Sequence, residues 1–324
     1  MASQLQTGGS LVQMVTWTLD SGSGIDDLAV FIFSTGETLV YSGSDPGDVN
    51  DWSLIGRFQI GEPLGPRAHA KVGGTEIILT RDGYIDLSVA LKDGRYSEKS
   101  AYSSKIIRAS KEVPSQYGQF PGWQATLYPA GQLFIVNCPT GETTSFQHVR
   151  ETSSGGWCEF NGWNAQTFCT FGNRLYFGDA DGNVCLADNT AADNGALIQA
   201  WGIPAFNALG NRATRKQLTA ATIVSSHTRP ASFSYDGLSD YSLTLRNTVT
   251  DDTATGGGEW DTSEWDVTEW STDGIPQAGD TVTRGWKNCH AIGYAVTISV
   301  RIRQKAQVIN WYSTDLQFRN AGVF

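Results

Sequence analysis

Short apolar runs separated by Gly, Asp, Ser and Asn turns set the texture of this 324-residue chain. Leu11 to Leu19 alternates around Thr16-Trp17-Thr18, while Leu28 to Ser34 is apolar enough without a break to predict a strand buried on both faces. Glu37 to Ser42 and Ser53 to Ile60 alternate, and Thr75 to Thr80 is another short apolar run. Arg81-Asp82-Gly83 then reads as a hairpin turn, with Gly supplying a positive φ. On this pattern residues 8–61 hold about four strands and residues 67–90 about three more, and four strands is the content of one propeller blade.

The pattern then nearly repeats at an offset of 105 positions. Thr35-Gly36-Glu37-Thr38 recurs as Thr140-Gly141-Glu142-Thr143, and Trp52 recurs as Trp157. The run from Gly74 to Tyr84 lines up with Gly172 to Asn183 after a short deletion. Strands are expected at Trp123 to Tyr128, Gln132 to Val136, Ser145 to Arg150, Trp157 to Trp163, Gln166 to Phe171, Arg174 to Phe177 and Asn183 to Leu186, with Ala196 to Phe206 completing the last blade. Between the repeats, Tyr102, Ile106, Ile107 and Val113 fall at helical spacing among Lys, Arg, Ser and Glu. This predicts one helix over Glu98 to Lys111, ended by Pro114 and standing off the sheet. From Asn211 the repeat stops, and five strands with long loops predict an antiparallel sandwich.

Composition supports an all-β reading: 36 Gly, 11 Trp and 11% aromatics. The formal net charge of -10 argues against a groove that grips nucleic acid, which needs clustered Lys and Arg. Five cysteines (Cys138, Cys158, Cys169, Cys185, Cys289) show no metal-ligand spacing and read as small buried hydrophobes. No apolar run is long enough for a membrane span. The start lacks a basic region followed by an apolar run, so no signal peptide is expected and synthesis is cytoplasmic.

Candidate chemistry is thin. Asp179-Ala180-Asp181-Gly182-Asn183 resembles part of a calcium loop but lacks the later ligands and the closing Glu, so it reads as a hairpin turn. Ser44 to Trp52 resembles an Asp-box imperfectly and reads as a loop of turn residues. Asp26, Asp27, Asp48, Asp51 and Glu62 supply acids for glycoside hydrolysis, but turn positions account for most of them. His69, His148, His227 and His290 lie far apart, and no nucleophile, zinc or phosphate motif is present. No catalytic residue, metal or cofactor is expected. In the loop at 251–285, Trp260, Trp265 and Trp270 recur every five residues, a period of neither strand nor helix. Exposed Trp in that number is expected at a binding surface.

From Asp26 to Arg67 the chain carries an aspartate pair, a strand pair leading into Gly43-Ser44-Asp45-Pro46, then Trp52, Gly56-Arg57 and Gly61-Glu62-Pro63-Leu64-Gly65-Pro66-Arg67. With Trp157 to Phe168, Arg174 to Val184, Glu264 to Trp270 and Val308 to Phe324, this text resembles the β-propeller tail structural proteins of short-tailed bacteriophages and prophages, the tail-tube or nozzle class. The resemblance implies a ring of identical subunits, six in number, around the DNA exit channel below the portal and adaptor. Viral DNA would pass through without sequence-specific binding. Such proteins carry several hundred residues before the aspartate pair, where this sequence has 25; the blades expected from that region are either missing or supplied by another chain.

The expected architecture is therefore all-β. A β-propeller-like body of about four blades spans residues 1–210, with a helical excursion at about 91–116. A C-terminal antiparallel β-sandwich at 211–324 carries the Trp-rich loop. The expected function is a structural virion protein of a phage tail, not an enzyme. Trp260, Trp265, Trp270, Tyr102 and Ile106 are the expected contacts with its own copies or with neighbouring tail proteins. The rival is a glycan-binding or glycan-cleaving propeller at a tail tip.

Overall fold

A computed structural model describes residues 5–20, 25–48, 50–93, 98, 101–190, 192–227, 233–245, 251–252, 281–305 and 308–321. The described residues fall into two compact units, Met1–Asp188 and Asn189–Phe324.

The first unit is a succession of antiparallel meanders. The first sheet runs β1 (Leu11–Asp20), β2 (Ile25–Phe33), β3 (Glu37–Ser42), β4 (Ser53–Gln59). The second is β5 (His69–Val72), β6 (Thr75–Thr80), β7 (Gly83–Asp86). After α1 (Leu87–Asp93) and α2 (Ile107–Tyr117) comes the third, β8 (Gln124–Tyr128), β9 (Leu133–Pro139), β10 (Ser145–Glu151), β11 (Trp157–Phe160). The fourth is β12 (Ala165–Phe171), β13 (Arg174–Asp179), β14 (Val184–Ala187). Each strand pairs with its neighbour in sequence, the strand order of propeller blades. The 105-residue offset maps the first sheet onto the third, and after the short deletion the second maps onto the fourth. Gly36 turns β2 into β3 as Gly141 lies between β9 and β10, and Trp52 precedes β4 as Trp157 begins β11.

Strand periodicity explains why these sheets stack. In β6, Ile78 joins Val15, Trp17, Val30 and Ile32 of the first sheet, while Ile77 and Leu79 point the other way and join Phe134, Val136 and Trp123. In β9 the same division recurs: Phe134 and Val136 face the second sheet, and Ile135 packs with Phe168 and Leu175 of the fourth. The two middle sheets are thus apolar on both faces and are covered on both.

The helical segment differs from expectation. It begins with a short 3-10 turn at Ser104–Ile106, and α2 runs through Pro114 to Tyr117. Pro114 lies near the end of the helix, where its missing N–H removes only one backbone bond. The segment is not an excursion from the sheet, since Tyr102, Ile106, Val113 and Tyr117 pack against the core between the second and third sheets. A second short helix, α1, stands where only strand was expected.

In the second unit β15 (Ile198–Gly202) and β17 (Ser234–Ser239) flank β21 (Val296–Gln304), and β18 (Asp251–Asp252) adds a short parallel pairing. Opposite them, β16 (Lys216–His227) has β22 (Ile309–Asn320) along one side and β20 (Lys287–Gly293) with β19 (Thr281–Arg284) along the other. Leu218, Ala221 and Ile223 meet Tyr235, Ile298, Val300 and Ile302 between the sheets, which makes a sandwich. The segment Ala196 to Phe206 does not complete the fourth sheet. Its strand β15 pairs with β21, Ala200 opposite Ile302, so the division falls after Asp188 rather than at 210.

Two stability tests follow from this packing. Ile135→Ala, at a site with no solvent exposure, is expected to cost about 2–5 kcal/mol in urea unfolding; a cost below about 0.5 kcal/mol would contradict the two-sided packing of the third sheet. Gly36 has φ +80°, and a Cβ there would lie 2.1 Å from the Ile60 carbonyl oxygen, whereas Gly141 meets only the Thr144 hydroxyl at 2.9 Å. Gly36→Ala is therefore expected to destabilise by more than about 1 kcal/mol and Gly141→Ala by less, although the two occupy equivalent places in the repeat.

Candidate functional site

Several acids are engaged in their own turns and loops. Asp51 accepts from the Asp45 N–H (2.7 Å), the Ser44 N–H (2.6 Å) and the Ser44 hydroxyl (2.9 Å), and these bonds hold its pKa below the usual value. Asp179 accepts from the Asn183 side-chain amide (2.9 Å) and from the N–H groups of Asn183 (2.8 Å) and Asp181 (3.0 Å), which lowers its pKa likewise. The Asp179–Asn183 stretch is thus a hairpin turn between β13 and β14. Glu151 accepts from the Ser153 hydroxyl and the Ser153 and Ser154 N–H groups, and its pKa falls to about 2. Glu37 takes the Thr7 N–H, Thr7 hydroxyl and Gln6 N–H, pinning the N-terminal segment over the first sheet. Each carboxylate exchanges hydration for amide donors, which closes a loop rather than poising a proton. Asp26 and Asp27 lie on β2, where only the backbone is described. Among the described residues, no group of three or more His, Cys, Asp or Glu could hold a metal ion.

One buried cluster joins titratable groups that sequence reasoning left apart. Tyr84 on β7, Cys138 on β9 and His148 on β10 meet between the second and third sheets, each with 4% exposure or less. Tyr84 Oη lies 2.7 Å from His148 Nδ1, and Cys138 Sγ lies 3.8 Å from both. Burial pushes the Cys138 thiol up to about 12 and the His148 imidazole down to about 4, and raises Tyr84 well above its ordinary value. All three are neutral near pH 7, and the Tyr84 hydroxyl shares one hydrogen bond with Nδ1 of a neutral imidazole. A thiol so far from ionising is no nucleophile. The cluster is a polar bridge between two sheets.

The other sequence candidates are scattered. His69 sits 2.6 Å from Glu76 on the adjacent strand, His227 is buried at the end of β16, and His290 is exposed on β20. Cys158 and Cys169 are exposed and Cys185 is partly so, against the expectation of buried thiols; only Cys138 and Cys289 are buried. Alternation along β12 places Cys169 opposite in sense to the buried Phe168. Tyr102 is half-buried: its ring meets Phe134 (5.1 Å) and Trp157 (6.2 Å) edge-on, with the Arg150 guanidinium 3.8 Å from its centroid. With Ile106 it serves the intramolecular core, which accounts for its apolar character without a partner. Trp260, Trp265 and Trp270 lie outside the described residues.

The surface that could engage a partner lies elsewhere, in the second unit. Among the described residues β22 pairs only with β16, leaving one edge of a 12-residue strand open, and Trp311 (39%), Tyr312 (62%) and Phe318 (40%) are exposed along it. The Trp311 indole is fixed rather than free. Its N–H donates to the Ser313 carbonyl and Thr314 hydroxyl, both at 3.0 Å, and its ring lies over Gly202, where a Cβ would come within 2.7 Å. Beside it opens a cleft of about 400 Å³, floored by Val296, Thr297 and Ile298 and walled by Pro204, Asn207, Thr314 and Asp315. The alternating text of Val308 to Phe318 signalled a strand, but nothing in it signalled an edge.

No protein-family model and no curated protein matches the chain. Among solved structures, a glycoside hydrolase family 43 arabinoxylan arabinofuranohydrolase from Bacillus subtilis, in complex with cellotetraose, aligns over 95% of this chain and 79% of its own. The identity is 10% and the TM-score 0.28, too low to carry an argument about fold or function.

The buried imidazole makes a testable contribution to stability. Because His148 titrates near 4 in the folded chain against 6.5 ordinarily, the unfolded chain binds the extra proton between those values, and stability falls as pH drops through that window. The expected loss between pH 7 and 4.5 is on the order of 2–3 kcal/mol, read by urea unfolding. The Tyr84→Phe/His148→Phe double variant should lose that part of the slope. Parallel slopes in the two proteins would refute the assignment.

Proposed function

We propose that this chain is a structural virion protein of a phage tail, of the tail-tube or nozzle class, which assembles as a homo-oligomeric ring around the DNA exit channel. The observation that carries the assembly part is the β22 edge that is open among the described residues. A long edge strand with unpaired backbone groups and exposed aromatics is a liability in a free monomer and an asset where another chain covers it. The phage part rests on the resemblance of Asp26 to Arg67 and the later motifs. The acidic balance fits a conduit, since a wall rich in Lys and Arg would retain a polyanion. Asp51, Glu151 and Asp179 bind their own turns, which favours scaffold over catalyst. Trp260, Trp265 and Trp270 stay in the proposal as further contacts. Tyr102 and Ile106 take the lesser part of positioning α2.

One observation favours the rival reading, a glycan-binding or glycan-cleaving protein at the tail tip: the cleft lined by Asn207, Thr314 and Asp315, whose Thr314 hydroxyl accepts from the Trp311 indole N–H. Negative-stain microscopy of the purified protein separates the two. The ring reading expects annular particles with a central channel, and Tyr312→Ala/Phe318→Ala is expected to reduce them at least about 10-fold at fixed concentration. Compact monomers at every concentration, together with polysaccharide binding that Trp311→Ala abolishes, would overturn it in favour of the rival.

A further inference from the structure

The four-sheet array of the first unit buries apolar side chains between every successive pair of sheets, yet both terminal faces carry large apolar groups in water. Residues directly opposite in an antiparallel ladder share a face. In the fourth sheet the row Phe168–Phe177–Cys185 faces the third sheet, so the row Cys169–Tyr176–Leu186 faces away, together with Phe171 and Val184. Phe171 is 76% exposed, Val184 78%, and Cys169 is exposed. At the other end, Leu11 and Met14 pair with Phe33 and Phe31 and share their outward face, at 50% and 67% exposure.

We propose that the outward face of the fourth sheet docks a second copy of this chain, which presents the outward face of its first sheet, so that the stack of one copy runs on into the next. The inference rests on the assembly reading above and names the contact that builds it. Continuity argues for this occupant. At each internal junction an apolar sheet face receives another sheet, and the one remaining sheet face of the unit that leaves large apolar side chains in water is that of the first sheet. The two faces differ, so the contact is heterologous: every copy uses one face and offers the other, and repetition builds a ring where the rotation per copy closes and a filament where it does not. A two-fold contact between fourth sheets would leave Leu11 and Met14 uncovered.

The test is sedimentation analysis of the full chain and two surface variants, Phe171→Asp/Val184→Asp and Met14→Asp. The substituted side chains are more than half exposed, so both variants are expected to keep wild-type circular dichroism and unfolding midpoints. Each alone should form at least about 10-fold less oligomer at concentrations where the wild type assembles. Mixed together, they should recover one-to-one association that neither shows alone, since each retains the face that the other lacks. In the wild type, alkylation of Cys169, located by peptide mass spectrometry with buried Cys138 as the reference, should drop at least about 10-fold on assembly. Folded variants that assemble like the wild type, or Cys169 equally reactive in both states, would overturn the contact while leaving oligomerisation intact. A wild type that stays monomeric would overturn the assembly reading as well.

Discussion

A β-sheet that is apolar on both faces cannot face water on either, and the first unit is built on that constraint. In β6 and β9 consecutive residues are buried in opposite directions: Ile77 against Ile78, Phe134 against Ile135. Each middle sheet must therefore lie between two others, and the meander order supplies them from adjacent stretches of chain. Tight two-sided packing also decides where polar groups can go. Tyr84 and His148 enter the second junction only because each satisfies the other, and α2 closes the side of that junction with Tyr102 and Ile106.

Stacking solves the problem for inner sheets and restates it for outer ones. The first sheet is partly capped by its own chain. Glu37 ties down Gln6 and Thr7, and Trp52 stacks on Tyr41 at 5.4 Å, held at the end of a loop that Asp51 closes. The fourth sheet has no equivalent cap among the described residues. Acids that would have been candidates for chemistry are used in this capping and turn closure. A chain whose charged groups shape loops and whose apolar surface exceeds what it can bury has the physical profile of a part in a larger assembly.

Much of this was legible in the residues. The alternating runs located β1, β3, β4 and β6 within a residue or two, because period-two burial is a local property. The Thr-Gly-Glu-Thr and Trp repeat marked a two-sheet unit, since the first and third sheets share a turn and a closing Trp. What failed was non-local. Ala196 to Phe206 looked like one more blade strand, and nothing in its pattern could tell that Ala200 would pair with Ile302, about a hundred positions on. Cys158 and Cys169 lie in strands with small and apolar neighbours, yet Cys169 occupies an outward row, and Cys158, although opposite the buried Val149, lies exposed on the outermost strand of its sheet. Tyr102 and Ile106 read as an exposed helical face because the junction they cover is made by strands on either side of them in sequence. The open edge of β22 was invisible for the same reason: an edge is defined by a missing neighbour.

The central claim is that the inner sheets are complete within one chain while the outer faces await a copy, and hydrogen exchange tests it strand by strand. In dilute protein, β6 and β9 should exchange only through global unfolding, whereas β1 and β12 to β14 open locally at lower cost. On assembly, β1 and β12 to β14 should gain protection and β6 and β9 should not change. Uniform protection across all four sheets before assembly, or a gain confined to other strands after it, would contradict the account.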